Sequence, residues 1–132
     1  MTRSHEDVDL VVELSALGAV FECLSILGIS VTNDLSPVRV VMTSPEGPQV
    51  DLHPVTFDED GTGWQVGAAP DGSDCSYPAD GFTVGKILDV AIPCLSAALQ
   101  LEHHSGYTPR DRDREDMARL TVRFGLEPPP SL

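Results

Sequence analysis

The sequence predicts an α+β fold, with mixed α/β character, in which helices flank a single mixed β-sheet. Three observations support this prediction. Residues 7–13 alternate and then become wholly apolar, residues 14–28 carry apolar side chains at helical spacing, and two β-rich runs (37–44 and 48–57) are joined by a short turn. Because further strands and then two helical segments follow, all 132 residues are predicted to form one domain around one sheet.

The run DVDLVVE (7–13) predicts a first strand that enters the core. Alternate side chains of a strand share a face. Asp7 and Asp9 should therefore point to one side, while Val8 and Leu10 should face the core.

The segment LSALGAVFECLSILG (14–28) predicts an amphipathic helix, because Leu17, Phe21 and Leu24 recur near helical spacing. Gly28 is a suitable stop, since glycine readily adopts the left-handed conformation that ends helices. The following ISVTND (29–34) predicts a short second strand.

The runs PVRVVMTS (37–44) and PQVDLHPVTF (48–57) predict a hairpin, because PEG between them is a turn signal. Pro54 has no N–H to donate, so the second strand should bend, bulge or lie at an edge there. WQVGA (64–68) predicts another strand, and residues 69–81 a polar loop.

The C-terminal part begins with FTVGKILDVAIP (82–93), which predicts short strands broken near Gly85 and Lys86. CLSAALQLEHH (94–104) predicts a helix that starts at Cys94, and RDREDMARLTVRFG (112–125) predicts the last helix.

The net charge is −13 at pH 7, which disfavours binding to nucleic acid because an acidic surface repels phosphates. Such a surface attracts cationic small molecules or metal ions, although excess acids also serve solubility alone.

No apolar run is long enough to cross a bilayer and no signal peptide is evident, so we expect no membrane association. Three cysteines without metal-type spacing indicate reduced thiols and a cytoplasmic protein.

Three carboxylates suggest a metal site. On one strand, Asp7 and Asp9 lie about 7 Å apart. Asp51 lies in a later strand with His53 on the same face, and the three acids converge if that strand pairs beside the first. Mg²⁺ favours such oxygen ligands, and clustered carboxylates support two-metal phosphoryl chemistry. The alternative is that all three are surface acids on a solvated face.

Three segments carry a family resemblance: TRSHEDVDLVV, VDLHPV and CLSAALQLEHHSGYTPRDRDREDMARL. Together, and in this order, they resemble the lincosamide and aminoglycoside 2″-nucleotidyltransferases. These are small members of the DNA polymerase β-like nucleotidyltransferase superfamily. The resemblance covers nearly the whole chain, and its most specific parts are T-R-x-H-x-D-x-D and the H-x-G-Y segment with the charged stretch after it.

The resemblance implies a Mg²⁺-dependent enzyme that transfers a nucleoside monophosphate from a nucleoside triphosphate to a hydroxyl of a small molecule. The expected triphosphate is ATP. Asp7 and Asp9 would bind the Mg²⁺ ions. Asp51 would complete the metal site and act as general base, and Arg3 and His5 would meet the nucleotide. A cationic antibiotic is the implied acceptor class.

Acceptor contacts are expected in the C-terminal segment, at His104, Tyr107, Arg110 and Asp113. The alternative for His104 is a histidine that merely ends a helix. The alternative for Arg110 and Asp113 is a solvated helix start whose acids favour the helix N-terminus.

One feature of the resembling family is not found: a helix and a motif of two glycines and a tryptophan before the T-R-x-H segment. We therefore expect an N-terminally shortened domain with uncovered apolar surface, which favours a homodimer. Two other functions stay open on this reasoning. One is a non-catalytic remnant or interaction module of the same fold, and the other is a phosphohydrolase that uses the same acids.

Overall fold

The computed structural model describes residues 7–103, which divide after Ser76 into two compact units. The first unit contains six strands, a 3₁₀ turn and one helix: β1 (Asp7–Glu13), the turn (Leu14–Ala16), α1 (Leu17–Ile26), β2 (Ser30–Leu35), β3 (Arg39–Thr43), β4 (Gln49–Phe57), β5 (Gly63–Gln65) and β6 (Cys75–Tyr77), whose last residue opens the second unit. The second unit continues with a 3₁₀ turn (Ala79–Gly81), β7 (Phe82–Ile87), β8 (Val90–Leu95) and α2 (Ala97–His103). The mixed α+β class is confirmed. Within these residues, neither helix has the length and apolarity needed to cross a bilayer.

Strands β1 to β6 form one mixed sheet in the order β2-β3-β4-β5-β6, with β1 paired to β4. The β1–β4 pair is parallel and places Asp9 beside Asp51, whereas β3 pairs antiparallel with β4 as the predicted hairpin. Parallel strands cannot be joined by a tight turn, so the chain makes a long connection through α1, β2 and β3 before it returns as β4.

Helix α1 packs on one face of this sheet. The buried cluster beneath it combines a helix residue with alternate residues of β3 and β4: Leu17, Val40, Met42, Val50 and Leu52. Phe21 and Leu24 of α1 pack against this cluster, so the predicted amphipathic helix is confirmed over Leu17–Ile26. Side chains of β4 that alternate with the buried ones must therefore emerge on the opposite face of the sheet.

Val8 and Leu10 do not reach the core, contrary to prediction. Their exposed fractions are 44% and 37%. Within the described residues β1 pairs only with β4, and the buried cluster contacts this strand near Val12. Alternation along β1 predicts correctly which face of the sheet these side chains lie on. Burial also requires another element that covers them, and sequence periodicity does not show whether one is present.

Gly28 ends α1 as predicted. Its φ is +78°, and its N–H donates to the carbonyl of Ser25 at 3.0 Å, while the N–H of Ile29 donates to the carbonyl of Leu24 at 3.1 Å. This pair of hydrogen bonds satisfies carbonyls at the helix end and turns the chain towards β2.

Pro54 lies inside β4, where the hydrogen-bonding neighbours change. The pairing with β3 ends at Leu52 and the pairing with β5 begins at Thr56. The missing N–H of Pro54 therefore falls between the two antiparallel ladders, which is where a central strand tolerates proline.

The second unit corrects several predictions. Strands β7 and β8 form a separate two-stranded sheet, so a single sheet does not include all strands. Their hairpin turns at Leu88 and Asp89, with φ of 49° and 64°, and not near Gly85 and Lys86. Two adjacent residues of positive φ are typical of tight hairpin turns, but asparagine and glycine are the usual occupants, so the sequence did not indicate the position.

Helix α2 begins three residues later than the predicted start at Cys94. Cys94 belongs to β8, and the helix begins at Ala97 after Ser96, whose hydroxyl accepts a hydrogen bond from the N–H of Leu99 at 3.2 Å. The predicted loop over 69–81 contains strand β6 and the turn Ala79–Gly81. The last predicted helix lies outside the described residues.

Replacing Gly28 by alanine should destabilise the protein by about 1 kcal/mol, because an L side chain is strained at this positive φ. No heavy atom lies within 4 Å of the added Cβ, so the effect is conformational and not steric. Gly18→Ala is the matched control: that glycine lies within α1, its new Cβ also meets open space, and alanine favours helix. Urea unfolding of both variants measures the difference, and equal stability of the two would contradict the capping role.

Candidate metal centre

The face of the sheet opposite α1 carries three carboxylates, Asp7 and Asp9 from β1 and Asp51 from β4, which we call the acid cluster. One oxygen from each lies within 4.8 Å of those of the other two. Asp51 is buried with 8% of its surface exposed, Asp7 is half-buried and Asp9 is exposed. The structure thus brings together the three acids that the sequence singled out.

The strand register explains this convergence. In the parallel pair, Asp9 stands beside Asp51 and Asp7 beside Gln49. Residues two apart on each strand share a face, so the two aspartates of β1 and Asp51 of β4 must lie on the same side. Gln49 also donates from Nε2 to Oδ1 of Asp51 at 2.9 Å, and this fixes the orientation of the buried carboxylate.

The chemistry of the acid cluster fits a divalent cation. Carboxylates this close repel one another, and a positive ion among them relieves the repulsion. All three donors are hard oxygen ligands, which suit Mg²⁺, an ion that binds few protein carboxylates and keeps room for water and phosphate oxygens. Asp7, Asp9 and Asp51 are therefore the residues that would hold Mg²⁺.

His53 adjoins the acid cluster, although the sequence indicated only that it shares the face of Asp51. Its Nε2 lies 3.0 Å from Oδ1 of Asp9, and its Nδ1 lies 3.3 Å from Nε2 of Gln65. Gln65 was not predicted as part of any site. The alternation of side chains along β4 predicts the face of the sheet on which His53 lies. Its contact with Asp9 depends on the pairing of β1 with β4, which local sequence pattern does not reveal.

The turn between β4 and β5 places Gln65 beside His53. Asp58 accepts hydrogen bonds at Oδ1 from the N–H groups of Asp60 and Thr62, and at Oδ2 from Nε1 of Trp64 at 3.0 Å. The indole hydrogen bond is the main reason that the pKa of Asp58 lies below its usual value, with the backbone N–H groups contributing. These hydrogen bonds connect the residues of the turn that joins β4 to β5, whose strands pair at Thr56 with Trp64 and at Phe57 with Gly63.

The other predicted site residues lie outside the described part of the chain. These are Arg3 and His5, predicted to meet the nucleotide, and the predicted acceptor contacts His104, Tyr107, Arg110 and Asp113. Their roles stay predictions.

Comparison with known proteins gives consistent results over most of the chain. The sequence model of the family described as aminoglycoside-2″-adenylyltransferase matches residues 1–120. A lincosamide resistance protein of Staphylococcus haemolyticus is 30% identical over 118 residues, which represent 89% of this chain and 72% of that protein.

Two solved structures are similar as well. The crystal structure of the lincosamide antibiotic adenylyltransferase LnuA with bound lincomycin has a TM-score of 0.77 at 28% identity, over 92% of this chain and 75% of LnuA. The solution structure of the antibiotic-resistance factor ANT(2″)-Ia has a TM-score of 0.68 at 16% identity, over 94% of this chain and 66% of that one. The second likeness shows a shared fold.

Mg²⁺ should raise the thermal unfolding temperature of the protein, because a ligand that binds only the folded acid cluster stabilises it by mass action. Asp9→Asn should abolish most of this rise, since it removes a charged ligand. Asp89→Asn is the matched control, because it makes the same change in the β7–β8 turn, where positive φ suits asparagine. Calorimetric scans with and without Mg²⁺ measure the shift, and an equal shift in all three proteins would contradict a metal site here.

Proposed function

As the chain belongs to the aminoglycoside-2″-adenylyltransferase family, we propose that it is a Mg²⁺-dependent nucleotidyltransferase. It transfers a nucleoside monophosphate from a nucleoside triphosphate to a hydroxyl group of an antibiotic and releases pyrophosphate. The proposed triphosphate is ATP. The single observation that carries this proposal is the acid cluster, because three carboxylates converge on the face of the sheet opposite α1. The family match and the likeness to LnuA support the same reaction class.

In the proposed reaction all three carboxylates bind Mg²⁺, and Asp51 also acts as the general base. Bound to them, Mg²⁺ supplies positive charge that offsets the charge of the triphosphate. Asp51 accepts the proton of the acceptor hydroxyl as that oxygen attacks the α-phosphorus, and the bond from the α-phosphorus to the oxygen bridging to the β-phosphate breaks. Gln49 holds the Asp51 carboxylate through its 2.9 Å hydrogen bond, so that the base keeps one orientation. Pyrophosphate leaves with the bridging oxygen.

The remaining contacts are proposed from the family match, which spans residues 1–120. Arg3 and His5 bind the nucleotide, and His104, Tyr107, Arg110 and Asp113 contact the acceptor. A net charge of −13 favours a cationic acceptor, and long-range attraction of this kind raises the rate of association. An aminoglycoside or a lincosamide is the proposed class.

Three further features belong to the same proposal. Cys23, Cys75 and Cys94 form no disulfide among the described residues, which suits a cytoplasmic location. A homodimer and a single domain over residues 1–132 are proposed from the sequence.

Asp51→Asn should reduce turnover by about 10²- to 10⁴-fold, because the amide cannot accept the proton of the attacking hydroxyl. The assay follows pyrophosphate release from ATP with Mg²⁺ and a panel of aminoglycosides and lincosamides, and mass spectrometry detects the adenylyl group on the acceptor. Asp89→Asn, in the β7–β8 turn, is the control and should keep wild-type turnover.

The outcomes separate the alternatives. An adenylylated acceptor that is lost in Asp51→Asn supports the proposal. Release of inorganic phosphate without pyrophosphate would indicate a phosphohydrolase. Saturable binding of Mg²⁺ and ATP with no product from any acceptor would indicate a non-catalytic module of this fold.

A further inference from the structure

A continuous line of hydrogen bonds runs from Val38, the residue before β3, through the buried Gln65 to the acid cluster. The carbonyl oxygen of Val38 lies 2.6 Å from Nε2 of Gln65, which lies 3.3 Å from Nδ1 of His53. His53 Nε2 in turn lies 3.0 Å from Oδ1 of Asp9. All four residues belong to the first unit, and the line ends on a candidate metal ligand.

The direction of these hydrogen bonds can be assigned from the backbone carbonyl of Val38. A backbone carbonyl can only accept, so the side-chain amide of Gln65 must present its nitrogen to Val38. The same nitrogen carries a second hydrogen, which faces Nδ1 of His53. Nδ1 therefore accepts, the ring proton resides on Nε2, and Nε2–H donates to Asp9. The opposite tautomer would set an N–H of the ring against an N–H of Gln65.

Burial makes the inner part of this line rigid. Gln65 has an exposed fraction of 2%, while the side chains of His53 and Asp9 are 26% and 64% exposed. A buried amide cannot exchange its partners for water without cost, so it keeps its orientation. Through His53, the exposed carboxylate at the outer end is connected to this buried amide.

We propose that His53 is a positioning residue for Asp9 and that Gln65 acts through it by fixing the ring tautomer. The inference rests on the proposed function, because it treats Asp9 as a Mg²⁺ ligand. Groups that hydrogen-bond a metal ligand hold it in its binding geometry, and their loss typically weakens metal affinity about 10- to 100-fold. His53 thus prepares the acid cluster for the cation and takes no part in the proton transfer assigned to Asp51.

The first experiment is a Mn²⁺ titration followed by electron paramagnetic resonance, in which free Mn²⁺ gives the signal and no substrate is needed. His53→Leu should bind Mn²⁺ about tenfold more weakly than wild type, because Asp9 loses the hydrogen bond from His53 Nε2. His53→Gln should recover most of the affinity, because the glutamine Nε2 can occupy the place of the imidazole Nε2. Asp9→Asn serves as the reference for loss of the ligand itself.

The second experiment observes the tautomer directly. In ¹⁵N spectra of the folded protein, recorded in mildly alkaline buffer, protonated and bare imidazole nitrogens resonate far apart. Wild-type His53 should show a protonated Nε2 and a bare Nδ1. Gln65→Met removes the amide with little change in side-chain length, and it should yield a mixture of tautomers and weaker Mn²⁺ binding.

The results distinguish failure of this inference from failure of the proposed function. Wild-type Mn²⁺ affinity in His53→Leu, with loss in Asp9→Asn, would overturn the role of His53 and leave the metal centre intact. Wild-type affinity in Asp9→Asn as well would overturn the metal centre. A bare Nε2 in wild type would overturn the assigned direction of the hydrogen bonds, and the glutamine and methionine variants keep the test valid if His53→Leu does not fold.

Discussion

The parallel pairing of β1 with β4 is the constraint on which the rest of the structure depends. Its register sets Asp9 beside Asp51, and the two-residue period of strands then places each neighbouring side chain. A shift of β1 by one residue would turn its two aspartates towards the side of the sheet covered by α1 and move Val8 and Leu10 to the acidic face. The position of the acid cluster and the packing of the sheet are therefore fixed by the same hydrogen bonds.

The two faces of the sheet have opposite energetic roles. On one face, Val40, Met42 and Leu52 are almost completely buried beneath α1, and each such side chain stabilises the fold by about 1.5–3 kcal/mol. On the other face, the acid cluster gathers like charges, which repel one another, and the proposed cation would relieve this repulsion. Because β4 is packed on its reverse side and β1 is hydrogen-bonded to β4 along its length, the scaffold tolerates the repulsion and holds the three carboxylates in place.

The sequence was sufficient where a feature depends on local pattern. The strand β1, helix α1 with its glycine stop and the β3–β4 hairpin all follow from periodicity and turn signals, whereas periodicity places Asp7 and Asp9 on one face but brings Asp51 to them only if β1 pairs with β4. It was insufficient where a feature depends on distant pairing or on an unusual residue. The turn at Leu88 and Asp89 lacks the customary glycine, and the contact of His53 with Asp9 requires the register of β1. The exposure of Val8 and Leu10 likewise depends on what covers them.

The separation of the two strands along the chain has a kinetic consequence. Asp9 and His53 are 44 residues apart in sequence, so their contact requires closure of a long loop and belongs to the slow, non-local part of folding. A nascent chain that has made only α1 and the β3–β4 hairpin has not yet formed the acid cluster. If the β1–β4 pair is absent from the folding transition state, a bound cation leaves the folding rate unchanged and acts by prolonging the lifetime of the folded state.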